Sequence, residues 1–518
     1  TFARILRANG ENVEIQNYID NTGVQVADVV VGFVHFEKMT LDDIKNLDAQ
    51  LILENKNFDY YCWDLYSKVG QFYAQNPDNL KLRAETLHAI EAGNDDIATL
   101  ADYVATRNVE QILKTMNRLD IRYDVLPRES EILHLKFWQT AFEQMQKIGV
   151  IRLETVGKNA NCWVMPFGDS GGTDEHDSDK ILVRSNGTVT YTGKDIAYQM
   201  WKLGLLGLDF NYKLFHTYDD GKKVFITTGE TVDTKDVPKF GDGATVYNVI
   251  DSRQSYPQEV VKKGVAAIAP NLGESASVHL SYEMVALSPN AAHELGFELS
   301  EADKQKSFVE MSGRKGLGVK ADDLITRLEI NALQKVEIRN ADLSFEEKQI
   351  TAHKLAVGAL RYFLLKFTRT TVIVFDFAEA LSTEGETGCF CQYSAVRANS
   401  LLRNFTQEFG AVNDSQISIS DVEAILNGEN GDEIWGLLTL AARLEETTAV
   451  AATNTEPAIL AKYTFNLAKT FNLFYHHHRI IAEKNVVKRT VLIRVADIAR
   501  KQLTKSLDIL GIEVPNQM

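Results

Sequence analysis

Beyond residue 320 the chain keeps a three-to-four-residue apolar spacing almost to its end, and this uninterrupted helical pattern most restricts the folds open to it. Leu460, Tyr463, Leu467, Phe471 and Phe474 mark one helical face, and Leu492, Val495, Ala499, Leu503, Leu507 and Leu510 mark another. Ser344 with Glu347 and Ser420 with Glu423 have the spacing of capping boxes that open helices. Such faces bury only against one another, so the C-terminal part is expected to be a helical bundle.

The first 320 residues alternate instead. Residues 1–10 read as a helix with Phe2, Ile5 and Leu6 apolar and Gly10 closing it, and "NVEIQNYI" then reads as a strand. The chain starts without methionine and enters partway through a βαβ unit, so it is expected to be N-terminally incomplete, with an exposed sheet edge. From about 40 to 150, stretches such as "DNLKLRAETLHAIEAG" and "ILHLKFWQTAFEQMQKIG" are helical and end at glycine, which suggests an insertion into an α/β domain. The sheet is expected to resume at "DKILVRSNGTVTYTG", where Asn186-Gly187 signals a hairpin, and "ATVYNVID" reads as a buried strand.

Composition narrows the function classes. With 518 residues, 45% hydrophobic and 24% charged, the sequence is that of a soluble globular protein with a large core. The best apolar run, "KLAVGALRYFLLKF", is short and interrupted by Lys354, Arg361 and Lys366, so no membrane span is expected. Four cysteines without a paired framework or zinc spacing suggest a reducing, cytoplasmic compartment. A net charge of -16 argues against indiscriminate nucleic-acid binding. Residues 459–518 nevertheless hold ten cations against four acids, with aromatics interleaved, so this end is either a solvated basic face or an RNA-binding module. His476, His477 and His478 are consecutive and on a helix would point in different directions, so no metal site is expected there.

One loop asks for a ligand. "MSGRKGLGV" (311–319) sets three glycines beside Arg314 and Lys315, which suits phosphate or, equally, a solvated turn. It is not a Walker A loop, because no Gly-Lys-Ser/Thr closes it.

Six segments in order decide between these readings: "YIDNTGVQ" (18–25), "YTGKDIAYQMWKLG" (191–204), "MSGRKG" (311–316), "VGALRYFLL" (357–365), "ALSTEGETGCFCQYSAVRANSLLRN" (380–404), and "FNLFYHHHRI" with the closing "ILGIEVPNQM". Along nearly the whole chain they resemble the arginyl-tRNA synthetases, a family of class I aminoacyl-tRNA synthetases. The resemblance implies a Rossmann-type catalytic domain over 1–384, with the helical insertion at about 40–150 and a lid loop at 310–320, followed by a helical-bundle anticodon-binding domain over 385–518. It implies ATP-dependent ligation of L-arginine to tRNA(Arg) through arginyl-adenylate, with Mg²⁺ accompanying ATP, a first step that needs bound tRNA, and a monomeric cytoplasmic enzyme. A non-catalytic paralogue that binds tRNA or arginine is the alternative.

The site residues follow from the same resemblance. Ser312, Arg314 and Lys315 fall in the catalytic loop, and Met311, Gly313, Gly316 and His279 lie on the ATP side. Tyr191, Asp195, Gln254, Asp20, Asn21 and Gln25 match the arginine pocket, with Asp195 facing the guanidinium because a planar fork of donors is best met by a carboxylate. Tyr191 and Asp195 would share a helical face if a helix begins near Gly193. Tyr393, Arg397, Arg403 and Tyr475 are the tRNA candidates. The chain departs from the family in lacking a His-Ile-Gly-His signature, the family's N-terminal domain, and the two lysines of the Lys-Met-Ser-Lys-Ser pattern.

Overall fold

The computed structural model describes residues 1–166, 180–232, 237–309 and 318–518. These fall into two compact units, one formed by 14–282 and the other by 1–13 together with 283–309 and 318–518.

The unit 14–282 opens on an extended segment. The strand expected at "NVEIQNYI" is reduced to two isolated parallel bridges, Gln16 to Val125 and Ile19 to Arg128. The helix Val24–Val31 follows, and four long helices, Leu41–Leu53, Phe58–Gln75, Leu80–Ala92 and Asp96–Arg118, close around Phe33, Phe58, Leu65 and Val104. Each fully buried side chain of this size contributes about 1.5–3 kcal/mol, so the insertion carries a core of its own. The expected helix across "ILHLKFWQTAFEQMQKIG" is broken: Lys136 takes a left-handed conformation between Glu129–His134 and Phe137–Lys147. That conformation is open to a lysine only at a cost, and spacing alone does not foresee it.

The strands are short. Val125–Leu126 pairs in parallel with Lys223–Thr228, which pairs antiparallel with Asn211–Thr217. At Asn186-Gly187 the turn forms with Gly187 at positive φ, but the hairpin is a single bridge from Val183 to Val189, because the next residues enter the helix Tyr191–Lys202. Val246–Asp251, the helix Ser255–Ile268 and Ser277–Tyr282 form a βαβ unit whose strands run parallel, from Val246 opposite Ser277 to Asp251 opposite Tyr282. This is a building block of a Rossmann-type domain. Its first strand is not buried as expected: only Asn248 is enclosed and Val249 is 63% exposed.

In the second unit Val285–Leu287 and Ile373–Phe375 form a small parallel pair, and helices dominate the rest. Phe345–Leu365, Gly388–Phe409, Ala458–His477 and Val486–Leu510 enclose one core, and the eleven face positions named from spacing at 460–474 and 492–510 are all buried in it. Two helices meet backbone to backbone. A Cβ on Gly388 would lie 2.4 Å from the carbonyl oxygen of Gly358, so a glycine is required for that approach. The Ser344–Glu347 capping box is present. The second box is formed by Ser418 and Asp421 rather than Ser420 and Glu423, since the helix starts two residues earlier, at Ile419. No helix among the described residues is long and apolar enough to cross a membrane.

Candidate functional site

The first turn of the helix Tyr191–Lys202 enters a cluster of charged side chains in the unit 14–282. The helix begins at Tyr191 rather than near Gly193, and Tyr191 and Asp195 remain one turn apart. Tyr191 is 60% exposed, whereas Asp195 is largely enclosed. Burial raises the Asp195 carboxyl to about 6; Lys202 opposes this, Glu129 adds to it and Lys194 opposes it. Among the described residues its carboxylate has neither a hydrogen bond nor an ion pair.

Its neighbours are paired. Lys194 Nζ donates to Glu129 Oε1 at 2.7 Å, with both side chains buried. Tyr18 Oη donates to Glu129 Oε2 at 2.9 Å, and burial followed by Glu129 pushes its phenol upward. Asp20 is raised to about 6 by desolvation and then by Glu129, with which it shares a hydrogen bond. Lys202 is half-buried, donates to Asn248 Oδ1 at 2.8 Å and lies 4.3 Å from the Tyr198 ring centre. Burial lowers its ammonium to about 7 against the opposing pull of Asp195. When all are ionised, three linked carboxylates (Asp20, Glu129, Asp195) face two ammonium groups (Lys194, Lys202), one cation short. A desolvated carboxylate without a partner is costly, so the cluster as it stands is able to accept a cationic group.

A cavity of about 530 Å³ adjoins this cluster through Asp20 and is lined also by Gln25, Tyr66, Arg83 and Tyr191; Asp195 is not among its lining residues. The cavity brings together three of the six residues expected around arginine, namely Asp20, Gln25 and Tyr191. Asn21 is engaged elsewhere: its amide donates to Ser130 Oγ at 3.0 Å and accepts from the Ser130 amide at 3.1 Å. Gln254 is exposed just before the helix Ser255–Ile268. A second cavity, of about 570 Å³, is lined by Gln258, Glu259, Lys262, Glu274 and His279. His279 uses Nε2 on the carbonyl oxygen of Ile250 at 2.9 Å, a bond that also holds the two parallel strands together. Met311, Ser312, Gly313, Arg314, Lys315 and Gly316 lie outside the described residues.

Sequence reasoning missed Glu129, Lys194, Lys202, Tyr18 and Asn248. Lys202 had a usable signal, since it follows Asp195 by two helical turns. Glu129 had none, because it joins the cluster from another segment.

The tRNA candidates occupy the helical unit. The Arg397 guanidinium lies 4.7 Å from the Tyr393 ring centre and 5.3 Å from that of Tyr475. It donates to Asn472 Oδ1 at 2.7 Å and to Tyr393 Oη at 3.0 Å. Arg403 is exposed and donates to Ser400 Oγ. Contrary to the expectation that the histidine run points apart, His477 Nδ1 is bonded to Glu433 Oε2 at 2.7 Å and the buried His478 brings Nε2 within 4.0 Å of Glu433 Oε1. Among the described residues no three His, Cys, Asp or Glu side chains are arranged to hold a metal ion.

Known proteins place this arrangement. Residues 391–518 match the model of the DALR anticodon binding domain. The arginine–tRNA ligases of Thermococcus kodakarensis, Pyrococcus furiosus and Deinococcus radiodurans are 31%, 32% and 31% identical to the chain over its whole length, which spans 76%, 77% and 78% of theirs. The arginyl-tRNA synthetase structure from Thermus thermophilus superposes with a TM-score of 0.76 at 26% identity, covering 100% of this chain and 78% of that one. An arginyl-tRNA synthetase structure from Plasmodium falciparum, at 16% identity and a TM-score of 0.64, has the same fold. A Rossmann-type catalytic domain with a helical insertion, followed by a helical anticodon-binding domain, is the architecture of a class I aminoacyl-tRNA synthetase. Within that class, the chain belongs to the arginine–tRNA ligase family.

Proposed function

We propose that the protein ligates L-arginine to tRNA(Arg) at the expense of ATP. The observation that carries this reading is the largely enclosed carboxylate of Asp195, without a hydrogen bond or ion pair among the described residues, in a cluster one cation short. A guanidinium supplies the missing charge and offers two parallel N–H donors to the two carboxylate oxygens. Tyr191, one helical turn before Asp195, and Gln25 border the adjoining cavity, and Asp20 places a carboxylate at its wall.

The chemistry proceeds in two displacements. A carboxylate oxygen of arginine attacks the α-phosphorus of ATP, the bond to the β-phosphate bridge breaks, and pyrophosphate leaves. A terminal ribose hydroxyl of the tRNA then attacks the carbonyl carbon of arginyl-adenylate, forming the ester and releasing AMP. The first displacement brings two anions together, which calls for cations around the phosphates, and Arg314 and Lys315 are our candidates for that work. Magnesium would enter with the nucleotide, since it keeps several waters and is commonly bound through substrate phosphates.

We assign 1–384 to catalysis and 385–518 to the anticodon arm of the tRNA. The Arg397 cluster supports the second assignment, because a guanidinium beside two tyrosine rings, that of Tyr475 exposed, combines a cation with an aromatic face on which a base can stack. Four buried free cysteines are in keeping with a reducing compartment, and we place the protein in the cytoplasm as a monomer.

Pyrophosphate exchange into ATP tests the reading. With the full-length protein, exchange is expected only when arginine and tRNA(Arg) are both present. Exchange supported by lysine in place of arginine, or no exchange under any condition, would refute it; the latter would favour a non-catalytic tRNA-binding relative.

A further inference from the structure

Lys202 is not needed to neutralise any group that it touches. Its ammonium donates to a neutral amide oxygen, Asn248 Oδ1, at 2.8 Å, and rests over the Tyr198 ring. The Tyr198 hydroxyl is itself bonded to Gln16, and its ring lies 5.2 Å from that of Tyr18, so the aromatic floor beneath the ammonium is fixed from two sides. Asp195 stands two turns before Lys202 on the same face of the helix Tyr191–Lys202, and among the described residues the two make no ion pair; its charge opposes the effect of burial on the ammonium. A flexible lysine next to an unpaired carboxylate would ordinarily close onto it. Here the Asn248 amide offers it a competing acceptor from the neighbouring strand.

We infer that Lys202, held back by Asn248, is a positioning residue that keeps the Asp195 carboxylate charged yet open for a guanidinium. This rests on the reading of Asp195 as the guanidinium partner. Contact by the ammonium would fill the oxygens the ligand must use, while its removal would leave Asp195 buried beside Glu129 with Lys194 already committed to that glutamate. The charged groups around Asp195 are Lys194 and Lys202 from its own helix and Glu129 from the helix Glu129–His134; Asp20 shares a hydrogen bond with Glu129. The phenols of Tyr18 and Tyr198 also face Asp195, and Glu14 lies beyond Tyr198. Of these, Lys202 does the most to hold the Asp195 carboxyl down, followed by Lys194, against the opposing effects of burial and Glu129.

The sign of the effect follows. Asp195 binds a guanidinium when ionised, so arginine binding weakens as pH falls through its value of about 6. Without Lys202 that fall begins at a higher pH, and each unit of displacement weakens binding on the acid side about tenfold.

The test is calorimetric titration of L-arginine into the full-length protein between about pH 5.5 and about 8.5, a window that spans the expected midpoint, for the unaltered protein and for Asp195→Asn, Lys202→Met and Asn248→Asp. ATP binding serves as the control. Asn248→Asp keeps the lysine but gives its ammonium a direct carboxylate partner, so it covers the case in which Lys202→Met does not fold. Lys202→Met and Asn248→Asp are both expected to move the acid limb of arginine binding upward by about one pH unit and to leave ATP binding unchanged. Loss of arginine binding in Asp195→Asn, together with unshifted acid limbs in both other variants, overturns the role of Lys202 alone. Undiminished arginine binding in Asp195→Asn overturns the guanidinium reading itself and this inference with it.

Discussion

Asp20 lies folded against Gly23, where a Cβ would sit 2.3 and 2.5 Å from its two carboxylate oxygens. The φ of Gly23 is -80°, so an alanine there meets no backbone strain, and the carboxyl is a side-chain end that can swing away. Gly23→Ala is therefore expected to cost about 1 kcal/mol of stability or less, the scale of an N-cap change. Its effect on function should be larger: with Asp20 displaced from the cavity wall, KM for arginine is expected to rise several-fold while KM for ATP stays unchanged, as measured in steady-state charging assays. An unaltered KM for arginine would remove Asp20 from the arginine site. Individual residues were only partly legible. Asp20, Gln25 and Tyr191 meet at one cavity, but Asn21, their neighbour in the same short segment, spends its amide on Ser130. A partner 109 positions along the chain leaves no trace in local spacing.

At the scale of elements, the helices could be read because their apolar periodicity records what they bury. The capping box near 420 was displaced by two residues because Ser418–Asp421 and Ser420–Glu423 satisfy the same spacing, and the chain uses the earlier pair. Strands of two to seven residues, some paired through isolated bridges, hold too little alternation to be read so. The helices Gly388–Phe409 and Ala458–His477 acquire a joint property that neither has alone: Tyr393 and Tyr475 flank Arg397 from different helices. Arg397→Ala is expected to weaken tRNA(Arg) binding about tenfold, the scale of losing one stacked contact, and to leave L-arginine binding unchanged. Filter binding at fixed salt checks the first expectation and calorimetry the second. Equal tRNA affinity would take this cluster out of the RNA interface.

Across the whole molecule, acidity and RNA binding are reconciled by segregation. The net charge is -16, but residues 459–518 carry ten cations against four acids, so a basic segment stands out on a chain that otherwise repels nucleic acid. The architecture was legible because six ordered segments span both the α/β part and the helical part. The composition of the buried charge cluster was not, since Tyr18, Glu129, Lys194, Asp195, Lys202 and Asn248 come from four separate stretches of chain. The central claim is that an enclosed carboxylate reads a forked cation. Its most direct test is the affinity of the full-length protein for L-arginine beside L-citrulline, which keeps the shape but lacks the charge, and L-lysine, which keeps the charge but lacks the fork. Arginine is expected to bind at least about a hundredfold more tightly than either, because a buried group left unmatched penalises the wrong ligand. Citrulline binding as well as arginine would contradict the claim.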